Sequence, residues 1–266
     1  MAEFWHSTEL PHLESRRSCQ DAACYRPHSH DRFSIGLVDT GTTAFTGPAG
    51  GSVPLAAGDV ILIPAGHVHA CNPGRGRWEY QMIHADQRWI ASLLPEGGEI
   101  LLGGITVVRD RGVHRRFDAV NDLLFAGPGE QQAATADVEA TLRRALNECM
   151  AATPLHRLPS ATDIELLDRL GPVLDRLHED ASNPALTELA EAAGMDRYQL
   201  IRAMRRATGL TPVAWRHNDR VITARTMLRE GRSLAETAQA LGFADQSHFH
   251  RVFRAHVAAT PGAYRR

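Results

Sequence analysis

The chain contains no lysine. All 29 basic residues are arginine, set against 31 acidic ones for a formal net charge of −2. Genome composition accounts for such a bias, although arginine also favours bidentate contacts to phosphate and guanine. Bulk charge therefore does not point to nucleic acid by itself. Cysteine is scarce: Cys19, Cys24, Cys71 and Cys149 form no C-x-x-C pair. The thiols are read as reduced, as in a cytoplasmic protein. Long apolar runs are missing too. No stretch suits a membrane span, and the N-terminus lacks the basic-then-apolar pattern of a secretory signal, so no membrane partner is expected.

What is present is ordinary for a globular chain. It has 266 residues, 43% hydrophobic and 23% charged, enough for two domains each with its own core. Charge is divided unevenly. Residues 1–159 hold 14 arginines against 18 acids, a net of −4, and residues 160–266 hold 15 against 13, a net of +2. The second part is mildly favoured to carry a basic face.

The apolar pattern changes twice along the chain. Up to about residue 110 it reads as short strands between turns, such as Phe33–Val38 before Asp39-Thr40-Gly41, and Val60–Ile63 between Gly58-Asp59 and Pro64. Gly47-Pro48 and Gly50-Gly51 are turn signals. Such spacing suggests an antiparallel barrel or sandwich. From Arg111 the period is helical. Phe117, Val120, Leu123 and Leu124 share a face, as do Val138, Leu142, Ala145, Leu146 and Met150. Residues 151–162, with Pro154 and Pro159, read as a linker. Beyond Asp163 nearly everything is helical. Pro172 predicts a kink, Asn183-Pro184 a helix start, and Asp196, Thr211, Ser233 with Glu236, Asp245 and Thr260 further caps.

Two parts of this helical region repeat. Ala190 and Gly194 recur 48 positions on as Ala238 and Gly242. Leu200, Arg202, Met204, Thr211 and Pro212 recur 49 positions on as Phe249, Arg251, Phe253, Thr260 and Pro261. A small residue followed four later by glycine is what a helix-turn-helix needs: close packing, then a turn through the left-handed backbone region. One copy is a weak signal, and two, each followed by a capped helix and Thr-Pro, form a strong one. Leu200, Ala203 and Met204 then bury one face of the first reading helix, leaving Arg197, Tyr198, Ile201, Arg202 and Arg205 outward. In the second, Phe249, Val252 and Phe253 are inward, and Gln246, Ser247, His250, Arg251 and Arg254 are available. Arginine and glutamine read guanine and adenine edges, and Ile201 suits a thymine methyl. The joining helix, Pro212 to Arg229, is about 27 Å long, fit to hold two readers about 34 Å apart in successive major grooves.

These residues resemble the AraC/XylS family of bacterial transcription regulators. The resemblance rests on Leu189-Ala190, Arg220-Val221, Ala224-Arg225, Leu228, Gly242-Phe243, Phe249–Arg254 and Thr260–Arg265. It covers about residues 163–266. It implies base contacts at Tyr198, Ile201 and Arg202, and at Gln246, Ser247, His250 and Arg251. Promoter DNA, a small-molecule effector and RNA polymerase are the partners it implies. Val138, Leu142 and Leu146, at heptad-like spacing, read as a surface that pairs with a second copy of the chain. Met204 and Ala258 depart from the family's usual phenylalanine and glycine.

The N-terminal histidines resemble a second pattern. His28-Ser29-His30, then Gly58-x5-Pro64-x-Gly66-x2-His69, are similar to the two cupin motifs, which carries His28, His30 and His69 onto metal-ligand positions. The glutamate such motifs add falls on Ser34 or Ile35 here and is missing. Three histidines still suit zinc or a similar divalent ion with an open fourth position, with His67 and Cys71 nearby. Stabilising the barrel or contacting an organic effector is favoured over metal for these histidines, so no cofactor is certain.

The expectation is a two-domain α+β chain. It comprises a cupin-like sensor barrel (1–110), a helical dimerisation segment (111–150), a linker (151–162) and a double helix-turn-helix DNA-binding domain (163–266). The barrel would sense a small effector and alter DNA binding. The alternatives are a metal sensor using His28, His30 and His69 and, less favoured, a cupin enzyme fused to a DNA reader. No catalytic residues are assigned.

Overall fold

The computed structural model describes residues 2–20, 25–47, 51–74, 76–126, 131–159 and 163–265, the side chains of 131–134 excepted. Cys24, the Pro48 and Gly50 turn signals and residues 160–162 of the expected linker lie outside these. Chain contacts divide the molecule into two units. One holds Met1–Ala23, His30–His67 and Cys71–Ser160; the other holds Cys24–Ser29, Val68–Ala70 and Ala161–Arg266. No helix among the described residues is long and apolar enough to cross a membrane.

The strands are β1 (Ala2–His6), β2 (Leu13–Gln20), β3 (Phe33–Thr40), β4 (Thr42–Thr46), β5 (Ser52–Ala56), β6 (Asp59–Ile63), β7 (Ala70–Pro73), β8 (Trp78–Ala85), β9 (Gly104–Arg109) and β10 (Pro154–Pro159). They do not close into the expected cupin-like barrel. Seven form an open sheet in the order β1-β2-β8-β3-β6-β9-β10, and three form a second sheet, β5-β4-β7. Closure requires the outermost strands to bond each other. Here β1 pairs with β2 and β10 with β9.

The physical reason lies in how each face of the large sheet is covered. One face presents Phe33, Ile35, Leu37, Val60, Leu62 and Ile83 to three helices, α1 (Gln87–Leu93), α2 (Arg111–Phe125) and α3 (Gln131–Ala151). The other presents Val38, Ile61, Ile63, Ile105 and Val107 to Phe45, Val53 and Leu55 of the small sheet. Layering buries both faces, so β3 and β6 read as continuous apolar runs, and closure adds no burial.

Two other expectations change. The proline-bounded stretch read as a linker is largely β10, an edge strand antiparallel to β9. Its prolines sit at the strand ends, where a missing ladder donor is tolerated. The stripe Val138, Leu142 and Leu146, read as a dimer surface, is at most 1% exposed within its own unit. It packs beside Val113, Phe117, Val120 and Leu124 of α2. A polar chain also docks α2 on the sheet. Ser15 Oγ donates to Asn121 Oδ1 (2.5 Å), Asn121 Nδ2 to Gln81 Oε1 (2.7 Å), and Gln81 Nε2 to Asp118 (2.7 Å).

The second unit is helical: α4 (Ile164–Arg169), α5 (Gly171–Glu179), α6 (Leu186–Ala192), α7 (Arg197–Thr208), α8 (Pro212–Arg229), α9 (Leu234–Ala240), α10 (Gln246–Val257) and α11 (Pro261–Tyr264). The expected kink at Pro172 is a full break, with Pro172 in the first turn of α5. Asn183 does not cap a helix. It takes a left-handed φ of 63°, and α6 starts at Leu186 after Ala185. The other caps form as read. Asp196 and Ser233 make capping boxes, and Thr211, Asp245 and Thr260 accept from first-turn amides.

Candidate DNA-reading surface and histidine cluster

Each helix-turn-helix is built on the residue pair that the repeat singled out. Ala190 and Ala238 are 2% and 3% exposed, and Gly194 and Gly242 take φ of 61° and 65°. In α7, Leu200 and Met204 are fully buried with Leu170, Val173, Leu177 and Leu189. In α10, Phe249 and Phe253 are fully buried in a ring series from Phe243 to Tyr264 with centroids 5.2–5.6 Å apart. Met204 thus fills the place of an aromatic ring. Ala258 takes a left-handed φ of 51° and caps α10, the conformation glycine adopts more cheaply.

The opposite faces point outward. Arg197, Tyr198, Arg202 and Arg205 are exposed and Ile201 is half-buried; Gln246, Ser247, Arg251 and Arg254 are exposed and His250 is half-buried. Tyr198, at 69% exposure, has no packing role to explain an aromatic there. The rod between the readers, α8, runs from Pro212 to Arg229 as the sequence suggested.

Arginine also works inside this unit, at a position the sequence reading had only matched to a family pattern. Arg220 of α8 is 5% exposed. Its Nη1 donates to Asn183 Oδ1 (2.9 Å) and Gly242 O (3.1 Å), and its Nη2 to Ala181 O (3.3 Å) and Asp180 O (3.5 Å). One guanidinium therefore joins the joining helix, the α5–α6 loop and the turn of the second helix-turn-helix. Arg229 donates to the Tyr264 hydroxyl (3.1 Å), tying α8 to α11.

His28, His30 and His69 come together as the spacing implied. Each offers one ring nitrogen, and the three nitrogens lie within 4.8 Å of one another. Local pairing of two short segments sets this geometry. His28 and His69 exchange backbone bonds (3.0 and 2.8 Å), and Gly66 N–H donates to His30 O (2.8 Å). His28 Nδ1 lies 2.8 Å from Arg26 O, so it carries the proton and Nε2 keeps its lone pair. Burial, then the neighbouring His69, hold the His28 imidazole well below its ordinary value. It stays neutral at neutral pH, the form that binds metal. Burial pushes the Cys71 thiol up to about 12, which removes it as a ready thiolate. His67 is half-buried, with Nδ1 3.2 Å from the Ala65 carbonyl oxygen.

The sequence reading missed two neighbours of these histidines. Ser29 N–H donates to Asn218 Oδ1 (3.1 Å) and Asn218 Nδ2 to Ser29 Oγ (3.0 Å), which attaches the His28 segment to α8. The His84 ring lies 4.5 Å from that of His30. Its signal was the alternation Trp78, Tyr80, Met82, His84, which places a histidine on the same sheet face as three large side chains.

The fold and the paired helix-turn-helix units point to a DNA-binding regulator with a separate ligand-binding part. Residues 10–146 match the family described as AraC-like ligand binding domain, and residues 189–266 match a helix-turn-helix domain family. The chain belongs to the AraC/XylS family of helix-turn-helix transcriptional regulators. It is 32% identical over 126 residues to the transcriptional activator NphR of Rhodococcus sp, a match covering 47% of this chain and 36% of NphR. It is 37% identical over 87 residues to the regulator RipA of Corynebacterium glutamicum, covering 31% of this chain and 26% of RipA. The chain thus spans about a third or less of these two relatives. It is 23% identical to the regulator YbfI of Bacillus subtilis over 89% of this chain and 86% of that one. The crystal structure of ToxT from Vibrio cholerae O395 shares the fold, with a TM-score of 0.57 at 11% identity over 96% of this chain and 97% of ToxT. NphR, RipA and YbfI are described as transcriptional regulators, and this chain shares their family.

Proposed function

We propose that this chain reads promoter DNA with α7 and α10, and that a divalent metal ion held by His28, His30 and His69 is the signal that sets its affinity. The observation that carries the second half is the clustering of three ring nitrogens within 4.8 Å, with His28 kept neutral and its tautomer fixed. Three imidazoles suit zinc, with one position left for a further ligand. An organic effector is the reading this one displaces. The family description supports a small ligand of some kind, and the nitrogen cluster favours a metal among them.

DNA contact is assigned to Arg197, Tyr198, Ile201 and Arg202 in the first unit. In the second it falls to Gln246, Ser247, His250, Arg251 and Arg254. Arg251→Ala is expected to weaken specific promoter binding by about 1–3 kcal/mol and to relax preference at one base pair. A gel shift with unchanged affinity and sequence preference would remove Arg251 from the readers. The metal half is tested on protein purified without an affinity tag. About one zinc or cobalt per chain is expected, with DNA affinity shifted about fivefold or more by chelation. Protein that takes up neither ion, with DNA binding indifferent to chelator, returns the site to an organic effector.

A further inference from the structure

We propose that a cleft in the helical unit, between α4 and α7, is a second ligand site, built for a small organic carboxylate with an apolar body, and that its occupant competes with DNA. The competition rests on the assignment of Arg202 to DNA contact given above; the site itself does not. The cleft has a volume of about 490 Å³, within the range of small-molecule sites. Its lining falls wholly within residues 161–266, so it forms inside one unit. It shares no residue with the histidine cluster.

The lining sets the chemistry. Leu166 of α4, Met195 of the turn and Ala203 of α7 pack against the core of the first helix-turn-helix yet stay only half-buried, which gives the cleft an apolar floor. The rim carries three exposed arginines, Arg169 of α4 and Arg202 and Arg206 of α7. Arg206 is ion-paired with Asp163 at 2.9 Å. Arg169 and Arg202 make no ion pair or hydrogen bond within the protein among the described residues. Gln199 adds an amide. Its Oε1 accepts the Asp196 N–H at 2.8 Å in the capping box, which leaves Nε2 to donate. Donors and uncompensated positive charge thus border apolar surface. A carboxylate matches the guanidinium fork, and an apolar body over the floor removes both surfaces from water. A bare phosphate meets the same charges but leaves the floor wet. An occupant held by Arg202 takes the side chain assigned to a base, and its negative charge repels the DNA backbone that approaches α7.

The test is calorimetric titration of the full, tag-free chain with 2-naphthoate and with octanoate, in chelator so that the histidines hold no metal. At least one probe should bind, at about one per chain, and its neutral amide at least about tenfold more weakly. Arg169→Gln should lower probe affinity by at least about tenfold. Its DNA affinity without probe should stay within about threefold of wild type, because Arg169 is not among the readers. Ala203→Phe, which fills the cleft from α7, should abolish probe binding. In gel shifts a saturating probe should weaken DNA binding by wild type about fivefold or more, and leave Arg169→Gln unaffected at the same concentration. Circular dichroism melts check folding; should Ala203→Phe fail to fold, Arg169→Gln carries the test. Failure of both probes to bind, equal binding of the neutral amide, or wild-type affinity in Arg169→Gln would each overturn the site. Inorganic phosphate that displaces the probe at equal concentration would overturn the carboxylate assignment. A probe that binds with the expected loss in Arg169→Gln, yet leaves wild-type DNA affinity unchanged, would uphold the site, overturn the competition and remove Arg202 from the readers.

Discussion

Arg220 shows what one residue type does in two settings. On α7 and α10 the guanidinium groups face water. On α8 the same group is buried, and carbonyl and amide oxygens replace its solvent. Burying a cation is costly unless its donors are met, and here four are. Arg220→Met should destabilise the helical unit by about 3 kcal/mol, because it strands those acceptors; urea denaturation followed by circular dichroism measures the loss. His217 makes the opposite case. Burial, then the charges of His256, Arg216, His248 and Arg220, lower its imidazole to about 4. Its ordinary value is about 6.5, so as pH falls the unfolded chain takes up the proton first. Stability should therefore decline from about pH 6.5 and level off below about 4. The effect is on the order of 1 kcal/mol, reduced because the ring is only half-buried and screened. His217→Gln should shrink the difference between urea midpoints at pH 7.5 and pH 5.

At the scale of elements, the two turns that look alike in sequence differ in what surrounds them. Both glycines have left-handed φ. A Cβ on Gly194 meets nothing within 4 Å, whereas one on Gly242 collides with the Ala181 carbonyl. Gly194→Ala should cost about 1 kcal/mol, the backbone penalty alone. Gly242→Ala should cost clearly more, because the α5–α6 loop and Arg220 must shift with it. Equal losses in urea would mean that this close approach is not maintained in solution. The helices of this unit were legible because their signals are local: a cap, a 3.6-residue period, a glycine at a fixed offset. Asn183 misled because its side chain serves Arg220, 37 residues away, instead of the helix that follows. The sheets were legible as strands but not as an architecture. Whether outer strands close depends on which faces the helices and the small sheet cover, and no single strand carries that information. For the same reason Val138, Leu142 and Leu146 show a clean stripe without showing that α2 fills it. The histidine cluster was legible because two motifs fixed its members. Its neighbours His84 and Asn218 arrive through strand register and tertiary contact.

For the molecule as a whole, a metal signal and a DNA output are linked only if the ion binds more tightly when the readers are on DNA, or less tightly. The helical unit contains a physical route for such a difference. His28 and His69 are members of the unit that carries α7 and α10. The segment bearing His28 is attached to it by the paired Ser29–Asn218 bonds and by Arg26 N–H to Ala255 O at 3.1 Å. Under the proposed metal reading, drawing His28 onto an ion would pull on the joining helix at Asn218, two residues from Arg220 and its hold on the second turn. Linkage then makes a reciprocal demand: whatever factor zinc applies to promoter affinity, promoter DNA must apply to zinc affinity. That factor should fall in the ordinary allosteric range, about 5–150-fold. In Asn218→Ala both factors should shrink together towards one, while zinc affinity without DNA and DNA affinity without zinc stay within about threefold of wild type. Zinc titrations with and without promoter DNA, paired with gel shifts with and without zinc, measure all four quantities. An undiminished factor in the Asn218 variant would move the coupling route elsewhere. Unequal factors in wild type would mean that the two ligands are not acting on one equilibrium.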